Sequence, residues 1–87
     1  MATLDVQVVA TDHAVWSGEA KSLTGRTVDG DMGILPGHTP VLAVLAEGEM
    51  TIEPVEGSVV KAHVKGGFFS VDNNKVTVVA DEADIKS

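Results

Sequence analysis

Apolar and polar residues alternate with a period of two along most of the chain. Leu4, Val6 and Val8 fall on one side of an extended segment and Asp5 and Gln7 on the other, which predicts a half-buried strand. Residues 15–23 alternate around Gly18 and predict a second strand with a bulge or a close backbone approach, because glycine inside a strand marks one or the other. A third short strand is expected over residues 23–28. Residues 41–45 form a continuous apolar run after Pro40, which fits a strand buried on both faces. Met50 and Ile52 alternate with Thr51 and Glu53 up to Pro54. Beyond Glu56-Gly57, Val60, Ala62 and Val64 face one way while Lys61, His63 and Lys65 face the other. Two further strands, residues 68–71 and 76–80, flank Asp72-Asn73-Asn74, whose residues tolerate left-handed backbone, so a hairpin is expected there.

No helical periodicity of any length interrupts this pattern. The expected architecture is all-β: a flattened sandwich or barrel of about 8–10 short, mainly antiparallel strands, forming one domain over residues 1–87.

Composition narrows the core. The hydrophobic fraction is 44% but Trp16, Phe68 and Phe69 are the only aromatic residues, so mainly aliphatic side chains must fill the interior, and Phe68 is expected in the core with them. Absence of cysteine removes disulfides, thiolate catalysis and cysteine-based metal sites, and fits a reducing compartment. Thirteen acidic against six basic residues give a net charge of −7, which repels nucleic acid and anionic lipid. The start of the chain lacks the pattern of a signal peptide, and no run approaches the ~20 apolar residues of a membrane span. A soluble protein is expected.

Candidate chemistry is sparse. His13, His38 and His63 are far apart and match no zinc spacing, and lysines flank His63 on its strand face. Ser17, Ser22, Ser58 and Ser70 lack a nucleophile-elbow setting. Gly30, Gly33 and Gly37 are not followed by the Lys-Ser or Lys-Thr of a phosphate-binding loop. No catalytic, cofactor or metal site is therefore assigned. The stripe of Lys61, His63 and Lys65 reads as a solvated outer strand face, with docking to an acidic partner as the alternative, and residues 81–84 read as a solubilising acidic tail.

Gly30-Asp31-Met32-Gly33-Ile34-Leu35-Pro36-Gly37-His38-Thr39-Pro40 stands apart from the alternating segments. Glycines permit tight turns and prolines restrict φ, so this stretch reads as a loop of defined shape with apolar residues. Those residues suit docking to a partner. Equally, Met32, Ile34 and Leu35 could tuck under the loop and close one end of the sandwich.

That loop resembles the signature loop of the epsilon subunit of bacterial F-type ATP synthases, in its N-terminal β-sandwich domain. Trp16-Ser17-Gly18 is similar to the family's aromatic-Ser-Gly element, and Leu45 with Gly48, Gly66-Gly67-Phe68 with Val71, and Asn74-Lys75-Val76-Thr77-Val78-Val79-Ala80-Asp81 continue the pattern in order. The resemblance covers essentially the whole chain.

It implies a non-catalytic rotor subunit that links the gamma subunit to the c-ring and couples proton transport to ATP synthesis by the alpha and beta subunits. Its implied location is peripheral, on the cytoplasmic face of the bacterial cell membrane. Carried over by position, Asp31, Met32 and His38 would meet the c-ring, and Val41, Leu42 and Phe69 are candidates for the gamma contact. Family members usually continue into a helical hairpin that regulates hydrolysis and in some binds ATP. The sequence stops at Ser87, so the hairpin and its ATP site are expected to be absent, with a naturally short chain favoured over a trimmed one. The competing classes are a generic β-sandwich module for protein or ligand binding and a small enzyme. Scarce aromatic residues argue against sugar platforms, and regular alternation gives no sign of a polar pocket.

Overall fold

The computed structural model describes residues 3–11, 13–37 and 39–86. Among these, nine strands are found: β1 (Leu4–Ala10), β2 (Ala14–Thr27), β3 (Gly30–Ile34), β4 (Val41–Val44), β5 (Gly48–Pro54), β6 (Val60–Lys65), β7 (Phe68–Asp72), β8 (Lys75–Ala80) and β9 (Glu82–Lys86). They run in the order β4-β7-β8-β1-β2-β5-β6-β9, with β3 paired to β2. Pairing is antiparallel except between β1 and β8. A bridge between Thr27 and Leu45 brings the far end of β2 back to β4 and curls the sheet on itself. The all-β, mainly antiparallel expectation describes this sheet.

The parallel pair is the centre of the core. Val6 lies opposite Val76, Val8 opposite Val78 and Ala10 opposite Ala80, and all six are buried together with Leu4, Leu23, Ile34, Met50, Ile52 and Phe69. Burying a valine or leucine side chain fully contributes roughly 1.5–3 kcal/mol, so this aliphatic interior supplies much of the drive to fold.

β2 joins the two expected strands over residues 15–28 into one. It is long enough to pair with β1 along its first half and with β3 and β5 along its second. The irregularity does not fall at Gly18, which stays in register with Val6. Register shifts fall instead at Val15, where β1 passes from Trp16 to Ala14, and between Ala20 and Ser22 in the β5 pairing, where the inward positions change from Ala20 to Leu23, Gly25 and Thr27. An extra residue shifts the period-two register and turns the other set of side chains to the core. Gly18 provides the close approach instead: a Cβ there would sit 3.1 Å from the Trp16 ring.

Three further expectations are corrected. Residues 41–45 are not buried on both faces, because β4 is joined along its length to β7 alone; Leu42 and Val44 are 70% and 56% exposed while Leu45 is buried. Phe68 is not core: Phe69 faces inward opposite Val78, and Phe68, opposite Val79, is 45% exposed. Residues 81–84 are not a tail, since all but Asp81 belong to β9, which pairs with β6.

The expected hairpin is present. Asn73 and Asn74 have φ values of 50° and 62°, the left-handed pair that a two-residue connection between twisted strands requires. Gly67, at φ 102°, lets the chain enter β7 against the Val79 carbonyl and the Ala80 backbone, where a Cβ would overlap both.

Candidate functional site

The region singled out in the sequence divides into a strand and a shorter loop. Its first half is β3, held to β2 by a turn in which the buried Thr27 hydroxyl donates to the Gly30 carbonyl (2.8 Å) and accepts from the Asp29 N–H (3.2 Å). Alternation along β3 then sorts the side chains. Ile34 is fully buried, Met32 is half-buried against the core opposite Gly25, and Asp31 is exposed. The inward-packing reading describes Ile34 and Met32, but not Leu35, which lies just past the strand and is 63% exposed.

Asp31 stands opposite Arg26 in the β2–β3 register, and the Arg26 Nε donates to Asp31 Oδ1 at 3.3 Å. Both side chains are largely solvated, at 59% and 79% exposure, so their attraction is in the range of about 0.2–1 kcal/mol typical of surface pairs. Gly48 of β5 leaves room for this arginine, since a Cβ there would lie 3.2 Å from Arg26 Cδ. Thr24, Arg26, Asp31, Glu49 and Thr51 together line an open groove on this side. The pairing with Arg26 has no signal in the motif, because it depends on strand register.

The rest of the loop is anchored from a distant element. The Gly37 N–H donates to Asn74 Oδ1 at 2.7 Å, joining the loop to the β7–β8 hairpin across 37 positions of sequence. His38, the other residue expected on this surface, lies outside the described residues.

The candidates for a second contact fall on the opposite half of the sheet. Val41 is half-buried, Leu42 is exposed, and Phe69 is 1% exposed, so its ring is core and unavailable to a partner. Strand register sets Val44 opposite Phe68, Phe68 opposite Val79 and Val79 opposite Val9. These four side chains make an apolar row across β4, β7, β8 and β1, with Leu42 beside it. On one side of the row Leu42 stands opposite Ser70 and Ser70 opposite Thr77, with Asp72 opposite Lys75 further along.

Two members of the β6 stripe lie beside acidic residues of the same chain. Lys65 Nζ lies 3.7 Å from Glu82 of β9, and His63 Nε2 lies 3.4 Å from Glu47. Among the described residues, no cluster of three or more His, Cys, Asp or Glu side chains is placed to hold a metal ion. No helix of the described structure is long and apolar enough to cross a membrane.

Comparison with known proteins gives a consistent result. The family model for ATP synthase, Delta/Epsilon chain, beta-sandwich domain matches residues 3–86. The ATP synthase epsilon chain of Micrococcus luteus is 48% identical over 83 residues, spanning 95% of this chain and 91% of that one. The epsilon chain of Corynebacterium diphtheriae is 45% identical over 84 residues, spanning 95% and 68%. Among solved structures, a chain of the Euglena gracilis mitochondrial ATP synthase, in an OSCP/F1/c-ring assembly, superposes with a TM-score of 0.91 at 26% identity. That match covers 98% of this chain and 54% of the Euglena chain, so the present sequence spans about half its length. A chain from the central stalk and c-ring of the Tetrahymena thermophila enzyme shares the fold, with a TM-score of 0.82 at 16% identity over 93% of this chain and 65% of that one. With the family match running almost end to end and curated relatives aligned over most of their own length, the chain belongs to the ATP synthase delta/epsilon family, as its beta-sandwich domain.

Proposed function

We propose that this chain is a non-catalytic central-stalk subunit of an F-type ATP synthase, joining the gamma subunit to the c-ring and coupling proton transport to ATP synthesis. The observation that carries the reading is the near-complete alignment with the Micrococcus luteus epsilon chain. The likeness to a Euglena chain from an F1/c-ring assembly supports it independently. In a bacterial cell the subunit would sit peripherally on the cytoplasmic face of the membrane, held there through the complex.

Two surfaces fit two partners. The c-ring contact is assigned to the Asp31 side, with Met32 shaping the strand beneath, Leu35 projecting beside it and His38 completing the motif. Here Asp31 reaches the partner already paired with Arg26, so the surface presents a dipolar pair more than a bare carboxylate. The gamma contact is assigned to Val41, Leu42 and the row formed by Val44, Phe68, Val79 and Val9, an apolar strip of the kind found at the centre of protein interfaces. Phe68 takes the place expected for Phe69.

Co-purification from membranes tests the reading. Gamma and the c-ring are expected to accompany the chain through detergent extraction. Recovery of the chain as a free monomer from membranes that retain both partners would overturn it.

A further inference from the structure

Asn74 joins three parts of the fold. Its φ of 62° makes it half of the left-handed turn between β7 and β8. The Asp5 N–H, at the start of the central parallel pair, donates to its main-chain carbonyl at 2.7 Å. Its side-chain Oδ1 accepts from the Gly37 N–H, also at 2.7 Å. The carbonyl bond belongs to the turn and would persist with any residue that adopts this backbone. The side-chain bond belongs to the loop and needs an acceptor of this length at this position.

We propose that Asn74 is a positioning residue for the segment after β3: by holding the Gly37 N–H it ties the loop to the β1–β8 core and sets where Leu35 is presented. The physical case is one of reach. Leu35 is 63% exposed and so gains little from core packing, and Pro36 has no N–H to contribute. Gly37, at φ 89°, lacks the Cβ that would restrict its backbone, so a hydrogen bond from outside the loop helps to fix it. Asn74 accepts that bond, and is itself held by the Asp5 bond. The loop thus takes its position from the most deeply buried strands, although it lies on the surface. The consequence for a c-ring contact rests on the stalk-subunit reading above; the clasp itself does not.

Two variants separate side-chain and backbone roles. Asn74→Gly keeps a residue suited to positive φ but removes the acceptor, and Asn74→Asp keeps an acceptor at the same reach. Amide hydrogen exchange is measured on the full chain. Exchange at Gly37 is expected to quicken roughly tenfold in Asn74→Gly, the factor equivalent to about 1.4 kcal/mol of lost hydrogen bonding, while the Val6 and Val8 amides hold their protection. In Asn74→Asp it should return to within about twofold of the parent. Unchanged exchange at Gly37 in Asn74→Gly, or no recovery in Asn74→Asp, would overturn the clasp.

The assembled enzyme supplies the second readout. ATP-driven proton pumping in vesicles should fall in Asn74→Gly and recover in Asn74→Asp, with the subunit retained in both complexes. Normal pumping by Asn74→Gly would overturn the positioning role while leaving stalk membership intact. Failure of the parent chain to assemble would overturn the functional reading instead, and the exchange measurement would still decide the clasp.

Discussion

Arg26 and Asp31 face one another across the β2–β3 pair, with Nε 3.3 Å from Oδ1. The acidic residue that the family resemblance assigns to the c-ring contact is therefore half of an ion pair within its own subunit. Any partner cation must share that carboxylate with Arg26.

Replacing Asp31 by lysine sets two cations opposite each other. Like charges directly opposed on a sheet destabilise by less than about 1 kcal/mol at an exposed site. The denaturation midpoint of Asp31→Lys should thus shift only slightly, whereas ATP-driven proton pumping should weaken. Unchanged pumping in membrane vesicles would remove Asp31 from the contact.

Adjacent phenylalanines should behave oppositely. Phe69→Ala removes a buried ring and is expected to cost roughly 3–5 kcal/mol in urea denaturation. Phe68→Ala, on the exposed apolar row, should change stability by about 1 kcal/mol or less but weaken gamma binding. Equal stability losses would contradict the assigned strand faces, and unaltered gamma binding by Phe68→Ala would contradict the assigned interface.

Gly67 cannot be replaced cheaply. An alanine there would be strained at φ 102° and its methyl group would overlap the Val79 carbonyl and Ala80 backbone. Gly67→Ala is expected to lose about 2 kcal/mol or more, measured by urea denaturation. A near-parental midpoint would mean that the β7 entry differs from the one described.

The Lys65–Glu82 pair joins β6 to β9 on an exposed face. Glu82→Lys should lower the thermal midpoint slightly at low ionic strength, and adding Lys65→Glu should restore it. Both effects should shrink in high salt, because exposed pairs are screened. A midpoint indifferent to the reversal at low salt would show that the pair contributes nothing.

Alternation makes much of the interior legible in the amino-acid sequence. Leu4, Val6 and Val8, and later Ala62 and Val64, are buried where a period of two puts them. The double asparagine turn is equally readable, because few residues adopt left-handed backbone without strain. Local pattern misleads where two environments share one signal. A short apolar run such as residues 41–45 looks the same whether a strand is central or at an edge, and only its neighbours distinguish the two. Phe68 and Phe69 are equally apolar, and pairing with β8 assigns one to each face.

An all-β chain, an aliphatic core and the family all follow from the sequence, since those properties depend on residue chemistry and on order along the chain. Other features exist only once the chain has folded: half of the signature segment is a strand, Arg26 meets Asp31, Asn74 holds Gly37, and Lys65 finds Glu82. Each of these contacts is set by register and closure between segments that the chain's own periodicity leaves free to slide. In the family's signature segment the residues identify the surface, and the pairing of β2 with β3 and the reach of Asn74 give it its shape.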